Sequence, residues 1–80
     1  MTSAQAAALA ALESLTAPGS EWWYPSDVAG RMTQQSGATV APATAGRLLA
    51  TLARAGLVRT DKRLRNIYGQ QFVTTYAITR

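Results

Sequence analysis

Residues 40–58 read VAPATAGRLLATLARAGLV, a run that opens, repeats and closes as a helix does. Pro42 stands where a first helical turn would begin, and a proline there forfeits no intrahelical hydrogen bond while its ring already holds a helical φ. Ala45, Leu48, Leu49, Leu52 and Ala55 then recur at the i, i+3, i+4, i+7 spacing of a helix with one buried face. Gly56 closes the run, because glycine enters the left-handed cap conformation without a Cβ penalty. The spacing therefore predicts a helix over about residues 42–55.

The same helix has a second side. At about 100° per residue the five apolar positions cover an arc of about 120°, and Thr44, Arg47, Thr51 and Arg54 cover a neighbouring arc of about 80°. Arginine can fork onto guanine, and threonine can meet a base edge or a phosphate, so this second side has the chemistry of a DNA-reading face. A plain solvated surface would carry the same residues, and the helix alone does not separate the two readings.

A resemblance separates them. Residues 40–58, followed by RTDKRLRNIYGQQFVTTYAIT, resemble the recognition helix and wing of winged helix-turn-helix DNA-binding proteins, the broad group that includes MarR-, ArsR- and PadR-type regulators. In that group a small residue, a proline and an alanine or threonine open the helix, an arginine follows, and a leucine-rich end leads into "GLV" and a basic hairpin. Pro42, Ala43, Thr44, Arg47, Leu49, Leu52, Gly56, Leu57 and Val58 match this pattern, and the likeness spans nearly the whole chain. One departure is Ala41, which stands where a serine or threonine usually caps the helix; Thr39 is the candidate to supply the cap instead. The resemblance implies an α+β fold, mainly α with a small β-sheet, of three helices and a C-terminal β-hairpin wing.

Length and residue types narrow the function. Eighty residues suit a single winged helix-turn-helix domain over residues 1–80, without space for a separate catalytic or effector module. The 48% hydrophobic content is that of a folding chain. Cysteine and histidine are absent, so thiolate or imidazole metal sites, disulfides and Cys/His nucleophilic chemistry have no residues to use. An ArsR-like metal sensor is disfavoured on that ground. Four scattered carboxylates offer no acid–base pair, and the expectation is a protein that is not an enzyme and takes no cofactor or metal.

The net charge of +4 suits a polyanionic partner, and its placement is more telling than its size. Arg47, Arg54, Arg59, Lys62, Arg63 and Arg65 place six of the eight basic residues in the proposed helix and wing, whereas nothing before Arg31 is basic. No apolar run is long enough to span a bilayer, and the N-terminus lacks the pattern of a secretory signal, so a cytoplasmic, nucleoid-associated location is expected. Seven arginines to one lysine, with abundant alanine, suit a GC-rich bacterial genome.

Taken in order, residues 3–15 form the first expected helix, with Ser3 as cap and Leu9, Leu12 and Leu15 beside Ala8 and Gln5 as its inward stripe. Ala17-Pro18-Gly19-Ser20 breaks it, and residues 22–24 are expected as a short strand. Trp22 and Trp23 read first as core plugs, at least one ring inside, and second as a stacking platform for bases. Ser26 and Asp27 mark the start of a second helix over about residues 27–34, with Val28 and Met32 inward and Gly30 allowing close approach of the third helix. Gly37 suits a positive-φ corner in the turn that follows, and Val40 an anchor to the core. The wing is expected over about residues 57–79, with Val58 and Ile78 in the core, Arg63 and Arg65 near its tip, and Ile67 and Tyr68 exposed in its loop.

The expected function is sequence-specific binding of double-stranded DNA by a small bacterial, phage or plasmid transcriptional regulator such as a repressor. Ala43, Thr44, Arg47 and Thr51 are the candidates for base readout. Arg31, Thr39, Arg54, Arg59, Lys62, Arg63 and Arg65 are the candidates for backbone and wing contacts. A homodimer on a repeated site is the expected arrangement. Two alternatives are a winged helix used for protein–protein assembly and an excisionase-like factor that bends DNA.

Overall fold

The computed structural model describes the backbone of residues 1–66 and 71–79, and the side chains of residues 1–62 and 73–79. Three helices, α1 (Ser3–Leu15), α2 (Pro25–Ser36) and α3 (Pro42–Arg54), precede an antiparallel hairpin of β1 (Val58–Asn66) and β2 (Gln71–Ile78). This is the α+β arrangement of a winged helix-turn-helix. The expected loop residues Ile67 and Tyr68 lie outside the described residues, as do the side chains of Arg63 and Arg65.

Local chemistry sets the helix ends. Thr2, one residue before the expected Ser3, caps α1: its hydroxyl accepts from the Gln5 N–H at 3.1 Å, and the Gln5 side chain accepts from the Thr2 N–H at 3.0 Å. Helix α2 begins two residues earlier than expected, with Pro25 in its first turn, and Ser26 is not its cap. Instead the Asp27 carboxylate reaches back to accept from the Tyr24 N–H at 3.1 Å. Pro25 needs no N–H partner, so the helix can start on it. Helix α3 begins at Pro42 with no side chain capping it; neither Ala41 nor the exposed Thr39 does so. Its far end is a Schellman turn, in which the Leu57 N–H donates to the Leu52 carbonyl at 3.0 Å and the Gly56 N–H to that of Ala53 at 3.0 Å. Gly56 takes φ 80°, the conformation the turn requires.

Each helix brings a narrow stripe to one core. Ala8, Ala11 and Leu12 of α1 meet Val28, Ala29 and Met32 of α2 and Ala45, Leu49 and Leu52 of α3, and Val58 and Tyr76 close the cluster from the sheet. Burying leucines such as Leu12, Leu49 and Leu52 contributes about 1.5–3 kcal/mol each. Ala55, expected on the buried arc, is exposed, because the helix has already ended there.

The strands pair from Val58↔Ile78 through Leu64↔Phe72, with a register shift before Asn66. The expected strand at residues 22–24 is a single bridge: the Trp23 and Tyr76 backbones exchange hydrogen bonds of 3.0 and 2.9 Å. One pair of bonds suffices to fasten the α1–α2 connection to the free edge of β2. Trp23 packs partly buried against the core, and its indole N–H donates to the Ser20 carbonyl at 3.1 Å.

Candidate nucleic-acid interface

The turn between α2 and α3 decides how α3 is presented, and one side chain that the sequence reading passed over organises it. The Thr33 hydroxyl donates to the Ala29 carbonyl at 2.9 Å and accepts from the Val40 N–H at 3.0 Å. A residue of α2 thereby holds the backbone two residues before α3 begins. Gly37 turns the corner at φ 77°, and Ser36 Oγ exchanges hydrogen bonds of 3.2 Å with the backbone N–H and carbonyl of Ala38. The close approach of α2 and α3 falls at Gly46, where a Cβ would lie 3.7 Å from that of Pro25. Gly30, expected to serve that purpose, is exposed, with nothing within 4 Å of where its Cβ would be.

On α3 the line opposite Ala45, Leu49 and Leu52 is exposed and carries Ala43, Arg47 and Arg54. Thr44 and Thr51 lie along one flank, half-buried. The Thr51 hydroxyl donates to the Arg47 carbonyl at 3.1 Å, which leaves it free only to accept. At 13 residues the helix is about 20 Å long, and its width matches the roughly 12 Å major groove of B-DNA. Its first-turn N–H groups, without a side-chain cap, face the same end as the exposed Thr39 and Ala43.

The remaining cations are not all alike. Arg31 is half-buried on α2, and Arg54 and Lys62 are exposed. Arg59 has partners within the chain: its guanidinium donates to Glu21 Oε2 at 3.2 Å and to the Ile78 carbonyl at 3.3 Å, and its Cζ lies 5.1 Å from the centre of the Trp22 ring. In the pleat, Arg59 and Asp61 occupy the sheet face opposite that of Val58, while Lys62 shares the face of Val58 and Tyr76. Arg59 therefore stands apart from the other expected backbone ligands. A pairing that joins residues 38 apart, from β1 across β2 to the α1–α2 connection, leaves no local trace in a sequence, whereas the Thr33 hydroxyl lies one turn from the expected corner.

Among the described residues, no helix is long and apolar enough to cross a membrane. No family model matches the chain, and no curated protein matches it. Among solved structures it is similar to the crystal structure of a putative transcriptional regulator from Thermoplasma acidophilum, with a TM-score of 0.69 and 24% sequence identity over 95% of this chain and 68% of that one. At that identity the likeness bears on the fold alone, three helices followed by an antiparallel hairpin.

Proposed function

We propose that this chain is a sequence-specific double-stranded DNA-binding protein, a small transcriptional regulator acting on the nucleoid in the cytoplasm of a bacterium or on a phage or plasmid. The observation that carries the reading is the division of α3 into a buried stripe and an opposite, exposed line of Ala43, Arg47 and Arg54 flanked by Thr44 and Thr51. In this reading Arg47 forks onto a guanine, Thr44 and Thr51 accept from or lie against base edges, and Ala43 meets a thymine methyl. Arg31, Thr39, Arg54 and Lys62, with Arg63 and Arg65 of the wing, supply contacts to the phosphate backbone. The sequence pattern favours a MarR- or PadR-like regulator over a metal-sensing ArsR-like one, since the chain has no cysteine or histidine. Residues 1–80 act as one winged helix-turn-helix unit, and two copies on a repeated site would double the contact.

Selection of bound fragments from a pool of random duplexes tests the reading. Enrichment of a short motif supports it. Retention of DNA without a motif, together with position-dependent mobility of bent fragments, would replace it with an architectural role. Failure to retain any duplex overturns it in favour of protein–protein assembly.

A further inference from the structure

Arg59 pairs with Ala77 in the β1–β2 ladder, and Trp23 pairs with Tyr76 on the other edge of β2. Because side chains alternate along a strand, Trp22 comes opposite Ala77 on the face that points away from the core, and the three residues form one cross-strand row, Arg59–Ala77–Trp22. The middle member has only a methyl group. Arg59 crosses over it to place its guanidinium on the Trp22 ring, with Glu21 at its tip and the Ile78 carbonyl along its stem. Ala77 is completely buried although it lies on the outer face, as expected if that arginine and that ring cover it.

We propose that Arg59 is a positioning residue: it straps the base of the wing across β2 to the connection between α1 and α2, and so fixes the seat of the hairpin beside α3 rather than neutralising a phosphate. Only its consequence for DNA rests on the function proposed above. The backbone bridge at Trp23 and Tyr76 supplies two hydrogen bonds, and the strap adds an ion pair and a cation–π contact over the same junction. Their residues are partly exposed, with 44% of the Arg59 side chain and 52% of the Glu21 side chain open to solvent. The energies are accordingly modest, and together they correspond to a roughly five-fold bias toward the closed junction.

Two substitutions that keep the net charge test it. Arg59→Lys retains the cation without the fork and the flat stack, and Trp22→Leu retains an apolar side chain without the ring. In the DNA-free protein, the Trp23 and Tyr76 amides are expected to exchange about two-fold faster in each of these variants, which lose part of the strap, and about five-fold faster in Arg59→Ala, which loses all of it, while the Ala11 and Leu12 amides of the helical core keep their protection. Unchanged exchange at Trp23 and Tyr76 overturns the strap. With a labelled duplex, both variants and Arg59→Ala are expected to bind at most about two-fold more weakly, since the backbone bridge keeps the junction mostly closed, and with the salt dependence of the unaltered chain. A drop of about 0.9 in the slope of log K against log salt for Arg59→Ala, with the slope of Trp22→Leu unaltered, assigns Arg59 to a phosphate and overturns the proposal. Should the unaltered chain bind no duplex, the DNA reading fails, and the exchange measurement still decides the strap.

Discussion

Arg47 lies on the exposed line of α3, two residues from the buried Ala45 and Leu49 on either side, so the packing that holds the helix also aims this side chain outward. A guanidinium fork that meets the O6 and N7 of a guanine discriminates by about 1–3 kcal/mol against the wrong base. Arg47→Ala should therefore cost about that much on the selected site and narrow its margin over random duplex, whereas Lys62→Ala should weaken both by similar factors. Competition titrations with specific and random duplexes check this, and an unaltered margin in Arg47→Ala removes the residue from base readout. Tyr76 carries a different sort of prediction. Burial in the core pushes its phenol above the ordinary value of 10.0. The folded state then holds the proton more tightly than the unfolded chain, so the stability this group contributes is complete below pH 10 and is lost as pH rises beyond it toward the raised value. Thermal melts between pH 8 and about pH 11 should show a fall in Tm at the alkaline end that Tyr76→Phe flattens.

At the level of elements, the start of α3 and its end were legible because their signals are local: a proline at one end and, at the other, a glycine whose φ of 80° completes a Schellman turn. The inward stripes of α2 and α3 followed from period alone, with Val28, Met32, Leu49 and Leu52 buried where spacing puts them. The caps were less legible, since Thr2 and Ser3 are chemically close and only the Gln5 side chain, three residues after Thr2, selects the first. The residues that join elements were hidden for a firmer reason. Thr33 bonds a backbone seven residues on, and Arg59 reaches Glu21 and Trp22 only through a strand register that no periodicity encodes. Gly30 shows the converse, a glycine whose suspected packing role is absent. It sits inside α2 without a positive φ, and an added Cβ would meet nothing within 4 Å. Gly30→Ala should thus stabilise the fold by about 0.5–1 kcal/mol through a better helix propensity and a less free unfolded chain. For a chain of this size that corresponds to a rise in Tm of several degrees, about 4–8 °C per kcal/mol. A lower Tm in a calorimetric scan would show that this position is packed after all.

Across the whole molecule, charge is divided along the chain. Residues 1–30 contain Glu13, Glu21 and Asp27 and no basic side chain, whereas residues 31–80 contain all eight basic residues against Asp61 alone. Within the winged-helix fold this division gives the α3 and wing half its cationic character, and a polyanion approaching that half releases its own counterions as it binds. With Arg59 assigned to the strap, Arg31, Arg54, Lys62, Arg63 and Arg65 remain as five candidates to neutralise phosphates. Five such contacts give a slope of log K against log salt near −4.5, and hence a loss of affinity of roughly 500-fold between 50 and 200 mM salt. A site occupied by two copies doubles the slope to about −9 when both bind as a unit, so one titration series reports the number of phosphates and, with stoichiometry, the number of chains. Fluorescence anisotropy of a labelled duplex across that salt range measures it. An affinity that hardly changes with salt is incompatible with a cationic half facing the duplex, and would leave the exposed line of α3 as a surface for another protein.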